Sequence, residues 1–289
     1  MNCIDQVVTD RYTAIHGDCV EALSGLPDAC IGYSIFSPPF ASLYTYSNSP
    51  RDMGNVRDDA EFFAHFDFLI AQLRRVMKPG RNISFHCMDM PSSKERDGVI
   101  GLKDFPGNLL RAFERHGFIF HSRVTIWKDP VTSMQRTKAL GLLHKSVREN
   151  SAMCRQGIAD YLITVRSPGE CERVIHGPEY PVELWQKVAS PVWMDINPSD
   201  TLQYMSAREH DDERHIAPLQ LEVIRRGVML WTNPDDIVLS PFMGIGSEGY
   251  VSLEMGRRFV GVELKASYYR QAVANLAAAT AKTEDLFAA

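Results

Sequence analysis

Residues 235–264 read DDIVLSPFMGIGSEGYVSLEMGRRFVGVEL, and this stretch decides the fold of the chain. The apolar run from Ile237 to Leu239 predicts a strand, and the glycine-rich run from Gly244 to Gly249 predicts a tight turn after it. A helix is predicted from Gly249 to Gly256, and a second strand from Phe259 to Leu264. The order strand, glycine turn, helix and strand is typical of a parallel α/β sheet.

This unit ends in an acid, Glu263, and such units bind cofactors that contain adenosine. Glycines let the backbone approach the ligand, and the acid accepts hydrogen bonds from ribose hydroxyls. The alternative is a tight corner between strand and helix, with Glu263 a plain surface acid. Because few residues follow Glu263, we expect the rest of the sheet to come from earlier in the chain.

Earlier residues supply the expected strands and helices. Strands are predicted at 12–20, 30–36 and 82–88, and a helix capped by Asp58 or Asp59 runs to about residue 77. Further elements of the same alternating pattern are a helix at 106–116, strands at 117–127 and 159–165, and helices at 218–230 and 266–280. The predicted class is therefore α/β.

Composition is that of an ordinary globular protein. The 289 residues are 45 % hydrophobic and 23 % charged, with a formal net charge of −5, which argues against disorder. No apolar run is long enough for a membrane span, and the first residues do not read as a signal peptide, so we expect a cytoplasmic protein. The six cysteines have spacings that suit neither a zinc site nor a disulfide framework, so we expect reduced thiols and no metal.

Basic residues gather locally in this acidic chain. Between Arg123 and Arg155 there are seven basic residues and two acids, which predicts contact with a phosphate backbone. The alternative is a solvated loop. The basic residues before Arg155 are Arg123, Lys128, Arg136, Lys138, Lys145 and Arg148.

A second motif stands far from the glycine turn. The strand at 30–36 stops at Ser37-Pro38-Pro39-Phe40, and two successive prolines make the following loop rigid. Taken alone, this motif is more often a stiff loop with Phe40 in the core than a catalytic loop. Residues 41–57 are polar and aperiodic, which indicates either a functional loop such as a lid or a plain surface loop.

Together these motifs resemble the DNA amino-methyltransferases that use S-adenosylmethionine, in particular the permuted group usually called beta. That family shares a (Asp, Asn or Ser)-Pro-Pro-(Tyr or Phe) loop and a Phe-x-Gly-x-Gly cofactor turn, here Phe242 to Gly246, in the order found in this chain. The resemblance covers residues 13–127 and 212–276. It implies a Rossmann-like fold, with a mostly parallel central sheet, helices on both faces and an inserted target-recognition region. The implied parts are a catalytic half at 1–128, the insert at about 129–210, and a cofactor-binding half at 211–289.

The resemblance also implies roles for single residues. Two departures from the family pattern are Ser240, where Asp is usual, and Gln220, where Pro is common; the first puts a contact to the amino-acid part of the cofactor in doubt. The implied catalytic residues are Ser37, Pro38, Pro39 and Phe40. With the resemblance, the loop at 41–57 is expected to be a lid or a DNA-contacting arm, and its candidate DNA contacts are Tyr44, Tyr46 and Arg51. The implied cofactor-binding residues are Asp18, Cys19, His215, Phe242, Gly244, Gly246, Ser247 and Glu263.

The implied activity is transfer of the methyl group of S-adenosylmethionine to the exocyclic amine of a base flipped out of double-stranded DNA. Adenine is slightly favoured over cytosine as the target. The family includes restriction–modification enzymes and many dimers, so the implied partners are DNA and a second copy of the chain. Two other hypotheses stay open: an NAD-dependent oxidoreductase with the same glycine turn, and a DNA-binding protein with an inactive cofactor site.

Overall fold

The computed structural model describes residues 3–39, 53, 58–92, 94–131, 144–151, 156–173, 181–203 and 218–288. Within these residues the chain forms a nine-stranded central sheet and a separate two-stranded sheet. The central strands, in spatial order, are β1 (Asp5–Val8), β2 (Tyr12–His16), β11 (Arg258–Glu263), β10 (Ile237–Ser240), β3 (Tyr33–Phe36), β4 (Asn82–Met88), β8 (Asp160–Arg166), β7 (Ile119–Ile126) and β9 (Val192–Trp193). The small sheet pairs β5 (Met90–Ser92) with β6 (Gly101–Lys103).

Helices connect most of these strands. The helices of the described residues are α1 (Cys19–Ser24), α2 (Asp59–Val76), α3 (Lys94–Asp97), α4 (Phe105–Arg115), α5 (His144–Glu149), α6 (Val182–Val188), α7 (Leu221–Trp231), α8 (Ser247–Glu254) and α9 (Ala266–Ala288). Asp58 caps α2 as predicted, because its side chain accepts a hydrogen bond from Glu61 N at 2.9 Å. None of the helices in these ranges combines the length and the apolar character that a membrane crossing requires.

The central sheet is mostly parallel in its middle. The strands β2, β11, β10, β3 and β4 are parallel neighbours, whereas β1 and β8 pair antiparallel with β2 and β4. Helices cover both faces. One apolar cluster packs α1, α2 and α4 on the sheet through Leu23, Phe66 and Phe113, and the other packs α7, α8 and α9 through Val223, Val251 and Leu276. The predicted α/β class with helices on both faces is confirmed.

The last two strands lie inside the sheet, not at its edge. In the spatial order, β10 lies between β11 and β3, so residues from the two ends of the chain are neighbours. Val238 is paired with Tyr33 and Leu239 with Ser34, and the Ser34 hydroxyl donates a hydrogen bond to Leu239 O at 2.9 Å. This pairing joins the two halves that carry the two sequence motifs.

Part of the range predicted as an insert belongs to the central sheet. Residues 129–210 contain β8, which pairs along its length with both β4 and β7, and β9, which pairs with β7. Buried apolar residues on both faces of β8 explain this position, since Leu162 contributes to one core cluster and Ile163 to the other. Any insert within 129–210 is therefore interrupted by sheet strands.

The described cysteines behave largely as expected. Cys3, Cys19, Cys30, Cys87 and Cys171 carry free thiols, with Cys19 and Cys87 buried and Cys171 exposed. Cys154 lies outside the described residues.

Candidate active site

The two sequence motifs meet at one edge of the sheet. Because β3 and β10 are adjacent and parallel, both end at the same edge, where β3 continues into Ser37 and β10 into Pro241. The rings of Phe36 and Phe242 are in contact, with centroids 5.8 Å apart. Such an edge, where the carboxyl ends of parallel strands meet, is where α/β proteins bind ligands. The two distant segments of the chain therefore lie side by side at this edge.

The glycine turn has the backbone geometry that only glycine adopts easily. Gly244 and Gly246 have φ angles of 54° and 87°, in the left-handed region. A Cβ on Gly244 would meet nothing within 4 Å, whereas a Cβ on Gly246 would lie 3.3 Å from Ala272 of α9. Gly244 therefore borders open space, and Gly246 lets α9 approach the turn.

Glu263 is bound directly to this turn. One carboxylate oxygen, Oε2, accepts a hydrogen bond from Gly244 N at 2.8 Å, and the other, Oε1, accepts one from Lys265 N at 2.8 Å. The acid is therefore a fixed part of the turn, in contrast to the surface acid that was the alternative.

The segment after β2 adjoins Glu263 from the other side. Gly17 N donates a hydrogen bond to Glu263 O at 3.0 Å. The Asp18 side chain caps α1 by accepting from Val20 N and Glu21 N, and Cys19 is buried at the start of that helix. Burial raises the pKa of the Cys19 thiol far above its ordinary value, and the charges of Asp18 and Glu263 add to the rise. The structure thus brings these two predicted cofactor residues together with Glu263.

Glu248 is a carboxyl at this site that the sequence reading did not single out. It lies in the first turn of α8 and is 4 % exposed. Burial raises its pKa to about 8, a hydrogen bond from its own backbone N–H opposes the rise, and the charge of Glu263 adds to it. The signal in the sequence was an acid inside the glycine-rich run.

Ser37 is hydrogen-bonded to the neighbouring strand β4. Its hydroxyl donates a hydrogen bond to His86 O at 3.3 Å, and the side chains of Ser37 and Pro39 are half-buried around the buried Pro38. With the hydroxyl proton used in this way, the lone pairs of Ser37 Oγ can accept hydrogen bonds from a substrate. The loop therefore offers acceptors at the sheet edge.

A buried ion cluster ties the strand ends together beside Ser37. His86 Nε2 lies 3.2 Å from Asp160 Oδ2, and Lys128 Nζ contacts the other oxygen of the same carboxylate. Burial alone would raise the pKa of Asp160, but His86 and Lys128 outweigh it and hold that pKa below its ordinary value. These residues come from the ends of β4 and β7 and from the start of β8.

Ser240, which replaces the family's usual Asp, is fully buried at the end of β10. Its hydroxyl has no hydrogen-bond partner among the described residues. A buried polar group without a partner is costly, so a buried hydroxyl of this kind at the end of β10 is a candidate partner for a ligand.

The predicted DNA-binding residues that the structure describes fall into two kinds. Lys145 and Arg148 are exposed on α5, and Lys145 forms an ion pair with Glu149 at 3.3 Å. Arg123 rests its guanidinium 5.6 Å from the centroid of the Tyr161 ring, while Lys128 reaches inward to Asp160. The predicted site residues outside the described ranges are Phe40, Tyr44, Tyr46, Arg51, Arg136, Lys138 and His215.

Comparisons with known proteins agree on one family. A family model described as DNA methylase matches residues 34–274. The type II methyltransferase M.BglII of Bacillus subtilis is 24 % identical over 255 residues, which cover 88 % of this chain and 65 % of that protein. The DNA adenine methyltransferase YhdJ of Escherichia coli strain K12 is 24 % identical over 276 residues, which cover 92 % of this chain and 83 % of YhdJ. The chain thus spans just under two thirds of the length of the first of these relatives.

Solved structures share the fold. A Thermus thermophilus protein assigned as a DNA modification methylase, complexed with S-adenosyl-L-methionine, superimposes with a TM-score of 0.68 at 22 % identity, covering 94 % of this chain and 96 % of that one. The cytosine-N4-specific PvuII DNA methyltransferase gives a TM-score of 0.68 at 17 % identity, covering 95 % and 90 %. Because the matched family model runs from β3 through the glycine turn into α9, this chain belongs to the DNA methylase family, whose N6/N4-type enzymes use S-adenosylmethionine.

Proposed function

We propose that this chain transfers the methyl group of S-adenosylmethionine to the exocyclic amine of a base flipped out of double-stranded DNA. The observation that supports the proposal is the adjacency of β3 and β10, because the Ser37 loop and the glycine turn follow these two strands at the same edge of the sheet. The family match argues against an NAD-dependent oxidoreductase.

The residues at the turn fit this cofactor. The open space beside Gly244 leaves room for a ligand against the backbone, and the carboxylate of Glu263 is fixed where it can accept hydrogen bonds from ribose hydroxyls. Asp18, Cys19, Phe242 and Ser247 lie on the chain segments that border Glu263 and the turn. We assign the adenosine part of the cofactor to this end of the cleft. His215, a residue outside the described ranges, is a proposed contact of the amino-acid part.

The Ser37 loop can activate the amine. The lone pair of an exocyclic amine is delocalised into the ring, so the nitrogen attacks well only when acceptors on its N–H bonds favour a tetrahedral geometry. Ser37 Oγ and the Pro38 carbonyl are such acceptors, held by two prolines and by the bond from Ser37 to His86 O. S-adenosylmethionine supplies an activated methyl group when bound. The N–CH₃ bond would form as the S–CH₃ bond of the sulfonium breaks, which leaves S-adenosylhomocysteine, and the amine would lose a proton to solvent past these acceptors.

The base and the duplex would contact residues around this edge. Phe40 would stack on the flipped base, and phosphate contacts would come from Tyr44, Tyr46, Arg51 and the basic residues between 123 and 148. The parts of 129–210 outside β8 and β9 would recognise the target sequence. A homodimer is a further prediction, tested by light scattering, and the DNA substrate supports a cytoplasmic location.

Adenine is the target base that we propose. The similarity to a DNA adenine methyltransferase over 92 % of this chain supports it, whereas the likeness to the cytosine-N4 enzyme concerns the fold. The experiment incubates the protein with duplex DNA and methyl-labelled S-adenosylmethionine, digests the DNA and identifies the modified nucleoside by mass. N6-methyladenine is expected, N4-methylcytosine would overturn the base assignment, and cofactor binding with no label at any salt would favour the inactive alternative.

A further inference from the structure

Glu248 is a buried carboxyl beside the cofactor turn to which the chemistry above gives no role. It occupies the first turn of α8, and the hydrogen bond from its own backbone N–H keeps its carboxyl at that helix end. The charge of Glu263 acts on it, and Glu263 Oε2 is itself bound to Gly244 N at 2.8 Å. Two carboxyls therefore flank the glycine turn.

Ser240 is a second, independent feature of the same place. Its hydroxyl is fully buried and has no partner among the described residues. Ser240 lies on the same face of β10 as Val238, and Val238 shares an apolar cluster with Val251 of α8. Because α8 runs back over β10 after the turn, its first turn covers the end of that strand. The unpartnered hydroxyl thus belongs to the last residue of the strand against which α8 packs, and the Glu248 carboxyl belongs to the first turn of that helix. A group with several N–H donors placed between the two would bond to both.

Charged groups on the elements packed against α8 are largely engaged elsewhere. On α7, Arg226 pairs with Glu222 and Asp195, and Arg225 pairs with Glu222. On α9, Lys282 pairs with Glu254 at the far end of α8, and at its near end Lys265 Nζ lies 4.4 Å from the Tyr268 ring centroid. The strand β10 carries no titratable side chain, and β11 contributes Glu263 at this end. Near the turn, the balance of charge among these residues is acidic.

We propose that Glu248, together with the Ser240 hydroxyl, receives the α-ammonium group of the cofactor's methionine part, and that Glu248 releases its proton to solvent when the cofactor binds. A buried carboxyl that is neutral in the free protein ionises when a cation is placed against it. The site thereby regains a carboxylate although position 240 carries Ser. This inference rests on the proposed function, because it concerns the same cofactor.

Proton release on binding is the decisive measurement. Calorimetric titration with S-adenosylmethionine near pH 7 in phosphate and in Tris, buffers of different ionisation enthalpy, counts the protons exchanged. With a free-state pKa of about 8 for Glu248, the protein is expected to release about 0.9 proton more than the Glu248→Gln variant. That variant is also expected to bind on the order of tenfold more weakly.

Controls separate this effect from general damage. Glu254→Gln, at the exposed end of the same helix, is expected to release as many protons as the unaltered protein. Equal proton release by the Glu248→Gln and unaltered proteins would overturn the inference.

Ligand analogues test the ammonium assignment on the unaltered protein alone, so the test survives if Glu248→Gln does not fold. S-adenosylhomocysteine keeps the ammonium group and lacks the sulfonium, and 5′-methylthioadenosine lacks both. Proton release is expected on binding of S-adenosylhomocysteine and not on binding of 5′-methylthioadenosine. Proton release with S-adenosylmethionine alone, or equal release with all three ligands, would overturn the assignment. Normal DNA methylation without linked proton release would sink this inference only, whereas no binding of S-adenosylmethionine would sink the proposed function.

Discussion

The glycine-turn unit at 237–263 and the basic stretch at 123–155 were both predicted from the sequence to be functional. In the structure, the two regions differ in whether their predicted residues contact one another. In the turn unit, Gly244 and Glu263 are bonded to each other at the sheet edge. In the basic stretch, Lys128 is turned toward the buried Asp160, and Lys145 is paired with Glu149 on the surface. The first set forms one site, and the second set does not act as a unit within the described residues.

The difference lies in what each motif constrains. A glycine turn between a strand and a helix fixes the backbone, and the following strand then fixes the place of its terminal acid. A count of charges fixes no geometry, because the partner of each charge is decided by contacts far along the chain. The following changes test that contrast, from the largest expected effect to the smallest.

Ser37→Ala is expected to lower kcat on the order of 100-fold, because an acceptor that shapes the transition state is lost. The affinity for S-adenosylmethionine should stay within about twofold, since Ser37 contacts β4 and not the turn. Steady-state methylation and calorimetric titration measure the two quantities. Ser24→Ala, a serine on the exposed end of α1, is the control, and an equal loss of cofactor affinity in Ser37→Ala would contradict the assignment. Phe40→Ala should show the same split.

Glu263→Ala is expected to weaken cofactor binding on the order of 10- to 100-fold, because it removes an acceptor for the ribose and frees Gly244 N. Turnover at saturating cofactor should change much less. Titration with Glu254→Ala as the matched control provides the check. An unchanged dissociation constant would refute the ribose role.

Gly249→Ala is expected to cost about 2 kcal/mol of unfolding free energy, because a core that is already full is overpacked. A Cβ at this position would lie 2.4 Å from Leu276 Cδ2 and 2.5 Å from the Phe259 ring. Urea denaturation measures the loss. Gly98→Ala is a useful comparison, since a Cβ there meets nothing within 4 Å and any cost comes from its backbone alone.

Lys128→Ala is expected to lower the free energy of unfolding by about 1–2 kcal/mol near neutral pH. The substitution leaves the buried Asp160 carboxylate with His86 as its remaining partner in the ion cluster. The pKa of Asp160 is lowered in the folded state, so its stabilisation is present above the ordinary value near pH 4 and is lost as the pH falls through the folded value. The cost of Lys128→Ala should therefore shrink in acid. Denaturation curves at several pH values measure it; a constant cost down to about pH 2 would contradict the ion pair.

Lys145→Ala is expected to change stability by less than about 0.5 kcal/mol, since its ion pair with Glu149 is fully at the surface. If Lys145 contacts a phosphate, the slope of log affinity against log salt should fall by about 1. Binding to duplex DNA at several salt concentrations measures this. No change in slope would remove Lys145 from the DNA-binding set.

Much of the sheet could be predicted from local pattern. The Asp58 cap, the apolar period of α2 and the proline stop after β3 are all set by neighbouring residues, and the structure agrees with them. The helix α8 begins at Ser247, two residues earlier than predicted, because Gly246, in a left-handed conformation, is its N-cap residue. The edge strand β1 was not predicted at all, since its exposed residues show no apolar pattern.

What could not be predicted depends on distant partners. The roles of β8 and β9 in the sheet follow from pairing with β4 and β7, and no local signal in 129–210 reveals that pairing. Asp160 gains its importance only through His86 and Lys128. Glu248 stood within the quoted motif, yet its burial against Glu263 appears only in three dimensions.

The insertion of β10 and β11 between β2 and β3 has a consequence for synthesis on the ribosome. The strands β2 and β3 are separated by a gap that residues 237–263 fill, so the edges that face this gap stay unpaired until those residues have left the exit tunnel. Chaperone capture during translation is therefore expected to protect the unpaired edges, and the pairing of β3 with β10 can form only after residues 237–263 have been synthesised.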